Sequence, residues 1–165
     1  MRNKQVVIIG SGDDDSLENT VYQIGRYIAE NNWVLITGGR GGVMEAASRG
    51  ASDAGGVVIG IIPGSQFSDA NAYCNIVIPT GLGYARNVIN VLSGDVIVAI
   101  GGKAGTLSEL AYAWQFGKPV INCLFAEGWS ARLSDSTLDD RQGTVFTASS
   151  LEELFRTLDR LLTNP

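Results

Sequence analysis

Six apolar runs rich in Val and Ile constrain this chain more than any other feature: Gln5 to Ile9, Trp33 to Thr37, Val57 to Ile62, Asn75 to Ile78, Asp95 to Ile100 and Val120 to Cys123. Most are apolar through their length instead of alternating. A strand apolar on both faces has to be covered on both, which is the condition of a parallel sheet between helical layers. The intervening segments supply the helices. Leu17, Val21, Ile24 and Ile28 recur at helical spacing behind a group of aspartates, and Val43 to Ala54 carries Ala46, Ala47 and Ala51 for close packing. Tyr84 to Leu92 and the segment from Gly105-Thr106 to about Phe116 read as two more helices, ended by Gly117-Lys118-Pro119. Val145 to Thr147 suits a last edge strand, and Ser150 with Glu153 forms a capping box for a helix from Leu151 to Leu162. The expected fold is α/β, a doubly wound, Rossmann-like, mostly parallel sheet of six to seven strands with helices on both faces, in a single ligand-binding domain over residues 1–165. Leu124 to Gln142 shows no firm period and reads as either a functional lid or a helix without a signature.

Composition removes several function classes. The chain has no histidine, and with it go the usual general base, the Ser/His and Cys/His catalytic arrangements and the commonest zinc ligand. Cys74 and Cys123 are distant and lack CxxC spacing, so neither a metal site nor a disulfide framework is expected. With a net charge of −5 and no polybasic run there is no electrostatic footprint for nucleic acid. The apolar run Val6 to Ile9 is too short for a signal peptide or a membrane span, so the expected location is the cytoplasm. Any phosphate must be held locally, by loops.

Glycine-rich loops close the strands at Gly10, Thr37, Thr80 and Gly101, and in a doubly wound sheet these ends converge on the ligand edge. Gly38-Gly39-Arg40-Gly41-Gly42 and Gly102-Lys103-Ala104-Gly105-Thr106 each open a helix, where unpaired amides and absent Cβ atoms suit a phosphate. Glycines in such places also serve as turns. Gly10-Ser11-Gly12 lacks the third glycine of a dinucleotide motif and precedes Asp13, Asp14 and Asp15, whose charge opposes a pyrophosphate, so a nicotinamide enzyme is not expected. Lys103 precedes Ala104, which excludes a Walker A loop. Arg86 and Glu109 should both face the ligand edge, either as a cation and carboxylate acting on a phosphate-bearing ligand or as an ion pair sealing two helix ends. Arg40 and Lys103 read as anion contacts.

Gly38 to Met44 and Gly102 to Glu109 resemble the two signatures of the LOG-type, or lysine decarboxylase-like, Rossmann family. The resemblance implies a phosphoribohydrolase that cuts the N-glycosidic bond of a cytokinin riboside monophosphate, with Arg86 and Glu109 matching the catalytic pair. Nothing suggests a pyridoxal phosphate site. The family's proline, second glycine and lysine are replaced here by Gly101, Lys103 and Asn87. The segments Ala85-Arg86-Asn87 and Ala104 to Glu109 are similar to a sister branch, the molybdenum cofactor carrier proteins. That resemblance implies a carrier holding the molybdenum cofactor, an anionic pterin with one phosphate, through Gly10, Ser11, Gly12, Thr37, the Gly38 to Gly42 loop, Arg86, Asn87, the Gly102 to Thr106 loop and Glu109. A nucleotide-sensing domain without turnover is the third reading. The apolar residues Val88, Ile89, Val91 and Leu92, with Leu110, Ala111, Ala113 and Trp114, further suggest a homo-oligomer, and the resemblance implies a dimer or tetramer.

Overall fold

The computed structural model describes residues 2–133, 139 and 144–163. Among these residues seven strands form one sheet: β1 (Gln5–Gly10), β2 (Val34–Thr37), β3 (Val58–Ile62), β4 (Ile76–Pro79), β5 (Val96–Ile100), β6 (Val120–Cys123) and β7 (Val145–Ala148). Their order is β4-β3-β2-β1-β5-β6-β7, and every neighbouring pair is parallel. The sheet expected to be mostly parallel is parallel throughout.

Among the described residues six α-helices connect and cover it: α1 (Glu18–Glu30), α2 (Val43–Asp53), α3 (Arg86–Ser93), α4 (Ala104–Gln115), α5 (Trp129–Arg132) and α6 (Leu151–Leu162). Alternate residues of the central strands feed two cores. Val6, Ile8, Val96, Val98 and Ile100 face α1, α2 and α6, whereas Val7, Ile9, Ile97 and Ala99 face α3 and α4. All five residues of β5 are buried, which explains why that run lacks alternation. Half of the expected capping box forms at α6: Ser150 Oγ accepts from the Glu153 N–H at 3.2 Å, while Glu153 Oε2 accepts from the N–H of Ser149, one residue before the cap, at 2.7 Å.

Two expectations are refined. The helix read from Tyr84 begins as a 3-10 turn over Gly83–Ala85, and α3 proper starts at Arg86. Within the unassigned stretch after Cys123 lies the single turn α5, too short to show a helical period in sequence. Residues 134–138 and 140–142 of that stretch lie outside the described residues. The last strand is an edge strand, as its length and composition suggest, paired only with β6.

Candidate functional site

From β1 the chain winds outward through β2, β3 and β4, and from β5 it winds the other way through β6 and β7. The switch point therefore lies between β1 and β5, where loops on opposite sides of the sheet part and leave a crevice. A cavity of about 670 Å³ occupies it, within the range of small-molecule sites. Four loops line it. The β1 loop contributes Gly10, Ser11 and Gly12, and the β2 loop contributes Gly38, Arg40 and Gly41. The segment after β4 contributes Gly83, Arg86 and Asn87, while Lys103, Gly105, Thr106 and Glu109 come from the β5 loop and α4.

The remaining expected residues stand just outside the lining. Thr37 supports its loop by accepting the Gly39 N–H on Oγ1 at 3.0 Å. Gly42 caps α2, whose first amide, Val43 N–H, donates to the Ser11 carbonyl at 3.0 Å. That donor is thereby engaged, which leaves the start of α4 as the better source of free amides. Gly102 and Ala104 line a second, adjoining cavity of about 570 Å³.

Arg86 and Glu109 both reach the main cavity, and no ion pair joins them. Each is buried and separately anchored. Arg86 Nη1 donates to the Ile61 carbonyl at 2.9 Å, and its Nε has no protein partner. Burial holds the guanidinium pKa below its ordinary value, with Arg40 adding to the effect and Glu109 opposing it. Glu109 Oε1 accepts from Asn90 Nδ2 at 3.1 Å. Burial pushes the Glu109 carboxyl up to about 7, against the opposing influence of Asn90 and Arg86. Near neutral pH the protonated form, which can donate as well as accept, is thus substantially populated.

The space for Arg86 is made by Gly38. A Cβ at that position would run into the Arg86 guanidinium and sit 2.7 Å from Met44 Sδ. Asn87 points to α4, donating from Nδ2 to Ser108 Oγ at 2.9 Å. Lys103 is already paired: Nζ lies 2.7 Å from Asp13 Oδ2, between side chains 75% and 69% exposed. Asp13, read from sequence as one of the aspartates before a helix and as a charge opposing a pyrophosphate, is therefore part of the cavity wall and partner to the expected anion contact. Sequence reasoning also missed Asn71, Asn90, Met44 and Tyr84. Asn71 clamps the β2 loop, with its N–H on the Gly39 carbonyl at 2.8 Å and its Nδ2 on the Arg40 carbonyl at 3.0 Å. It sits in an irregular polar stretch with no pattern to mark it. Asn90 lies one helical turn after Arg86, a spacing that places it on the same face of α3.

Residues 3–155 match the model of the SLOG cluster4 family. The chain belongs to this family. An uncharacterized protein of Archaeoglobus fulgidus is 44% identical over 123 residues, covering 74% of this SLOG cluster4 chain and 81% of that protein. Among solved structures, the molybdenum cofactor binding protein of the phototrophic bacterium Rippkaea orientalis has a TM-score of 0.83 and 40% identity, covering 98% of both chains. The molybdenum cofactor carrier protein of Chlamydomonas reinhardtii has a TM-score of 0.85 and 33% identity, covering 98% of this chain and 100% of that one. The LOG-like resemblance read from the glycine loops is thus matched at the level of family and fold.

Proposed function

We propose that this chain is a molybdenum cofactor carrier that shelters the phosphate-bearing pterin in the cavity between β1 and β5. The observation that carries the reading is the likeness, over 98% of both chains and at 40% identity, to a protein described as binding that cofactor. The residues present fit such a cargo. Arg86 offers a buried cation with an unpartnered Nε, and the start of α4 offers amides for one phosphate. Neither Cys74 nor Cys123 lines the cavity, which suits a metal held by the ligand's own dithiolene. Glycine loops, Arg40 and Lys103 complete the anion contacts in this reading. The net charge of −5 supports a small-molecule partner over nucleic acid. The same reading makes the chain one cytoplasmic ligand-binding domain that assembles as a dimer or tetramer.

One observation favours a second reading. Arg86 with a Glu109 titrating near neutrality matches the needs of an N-glycosidic phosphoribohydrolase, in which the carboxyl passes a proton or steadies a ribosyl cation. Mass spectrometry and metal analysis of molecules that copurify with the protein separate the two. Pterin with molybdenum supports the carrier, and a nucleotide without molybdenum overturns it. Release of free base from adenosine monophosphate by the wild type, absent in Glu109→Gln, establishes the hydrolase.

A further inference from the structure

Asn90 is 1% exposed, and the two ends of its amide are treated unequally. Nδ2 donates to Glu109 Oε1 at 3.1 Å, whereas Oδ1, which is also buried, has no partner among the described residues. A buried amide oxygen left in this way is uncommon, because its desolvation goes uncompensated. It also leaves the amide free. Where a backbone N–H donates to the oxygen of such a side chain, the orientation is fixed from both ends; here Glu109 alone fixes it. Turning the amide over about the Cβ–Cγ bond exchanges an NH2 group for an oxygen of nearly the same size, so it needs no new space. The Glu109 carboxyl in its turn takes no other side-chain hydrogen bond among the described residues.

We propose that Asn90 is a positioning residue for Glu109 whose amide turns over with the carboxyl's proton: Nδ2 donates to the carboxylate, and Oδ1 accepts from the O–H of the acid. The proton is exchanged with solvent through the cavity that Glu109 lines. Either state then keeps one hydrogen bond across the contact between α3 and α4, and the carboxyl holds its place while its charge changes. Few charged groups face it. α4 packs mainly on α3, β1 and β5, and neither strand contains a titratable residue. α3 contributes Arg86, and across the cavity stand Arg40 and the Lys103–Asp13 pair. With burial pushing the carboxyl up to about 7, the exchange falls near neutral pH. A ligand therefore meets a wall that changes its charge without changing its shape.

The test needs no ligand, so its outcome is independent of whether the cavity carries or cuts its cargo. In protein labelled with carbon-13 at the asparagine side-chain carbonyls, infrared difference spectroscopy follows the Asn90 carbonyl stretch across the titration of Glu109, itself located by the carbon-13 resonance of its carboxyl. Asn90→Leu assigns the band by its loss; should that variant fail to fold, the difference between the wild type and Glu109→Gln isolates it. The stretch should move to lower frequency on protonation, as the oxygen gains a donor, and should stay in place in Glu109→Gln. In Asn90→Leu the Glu109 midpoint should rise by about one pH unit, because the carboxylate loses its donor. A residue that only fills space would leave it unchanged. A carbonyl band that stays in place while Glu109 titrates overturns the proposal, as does a Glu109 that does not titrate in the folded chain or an unchanged midpoint in folded Asn90→Leu.

Discussion

Arg86 and Glu109 meet the same cavity from α3 and α4, yet each is held by a third residue instead of by the other: Arg86 by the Ile61 carbonyl and Glu109 by Asn90. A cation and a carboxyl kept apart in this way leave hydrogen-bonding capacity for a ligand. An ion pair closing the helix ends would have consumed it. The arrangement is the source of the first two expectations.

Glu109 should make stability depend on pH. Its folded pKa of about 7 exceeds the ordinary 4.5, so the native state binds more protons than the unfolded chain between these values. Its contribution is fully present below about 4.5, falls as pH rises toward 7 and is gone above. Glu109→Gln removes this dependence. In urea melts the variant should be the more stable at pH 8, by up to about 3 kcal/mol, and close to the wild type at pH 4.5. A difference of the same size at both pH values would count against a carboxyl desolvated in this way.

Gly38→Ala should damage the site while leaving the fold. The added Cβ collides with the Arg86 guanidinium, which must leave its place beside the Ile61 carbonyl. A hydrogen bond to a charged group is worth roughly 1.5–3 kcal/mol, so affinity for molybdenum cofactor should fall about tenfold to a hundredfold. Calorimetric titration with circular dichroism as the folding control decides this. Wild-type affinity in the variant would show that Arg86 does not hold the ligand.

Gly105 and Lys103 should separate the loop's backbone from its side chain. A Cβ at Gly105 meets nothing within 4 Å beyond its chain neighbours and its own helix backbone, and the residue lines the cavity, so Gly105→Val should crowd a ligand there without a clash against the rest of the folded chain. Lys103→Ala breaks only an exposed pair with Asp13, and its Tm should match the wild type. Titration should then show binding abolished in the first variant and weakened about tenfold in the second. If Gly105→Val binds normally, this loop is a turn and no phosphate rests on it.

Asn71→Ala should loosen the β2 loop from outside the cavity. It removes the side-chain bond to the Arg40 carbonyl and the Asn71 contact to the Tyr73 N–H at 3.1 Å. A cost of about 1 kcal/mol per bond is expected, read as faster amide exchange at Gly39 to Gly41 together with weaker ligand binding. Unchanged exchange would assign the loop's shape to Thr37, Gly42 and the Asn71 backbone N–H, which the substitution keeps.

Self-association can now be narrowed. Val91, Leu110, Ala113 and Trp114, which the sequence pattern offers as interface residues, are buried within the chain. Leu82, Tyr84, Leu92 and Phe116 remain exposed, at 53%, 90%, 49% and 45%. Tyr84→Lys with Leu92→Lys should therefore reduce the light-scattering mass to one chain at micromolar concentration. A wild type that already has that mass removes the claim.

The sheet, its helices and the glycine loops were legible because each follows from local chemistry. Val and Ile runs buried on both faces lose their alternation, the cap Ser150 marks the start of α6, and glycine before a helix marks where a strand ends. Arg86 and Glu109 were legible through the motifs around them. Asn71, Asp13 and the single turn α5 were not, because their roles are contacts with residues distant in sequence: Asn71 with the loop at Gly39, Asp13 with Lys103, and Ser130 with Gly101.

Local order along the chain thus determined which segments are strands, which are helices and where a ligand edge must lie. Only the tertiary structure decided that Arg86 and Glu109 stay unpaired, that Lys103 meets Asp13, and that a second cavity opens beside the first. The physical reason is range. Propensity and periodicity act within one element, whereas burial and pairing depend on which loops the switch point between β1 and β5 brings together.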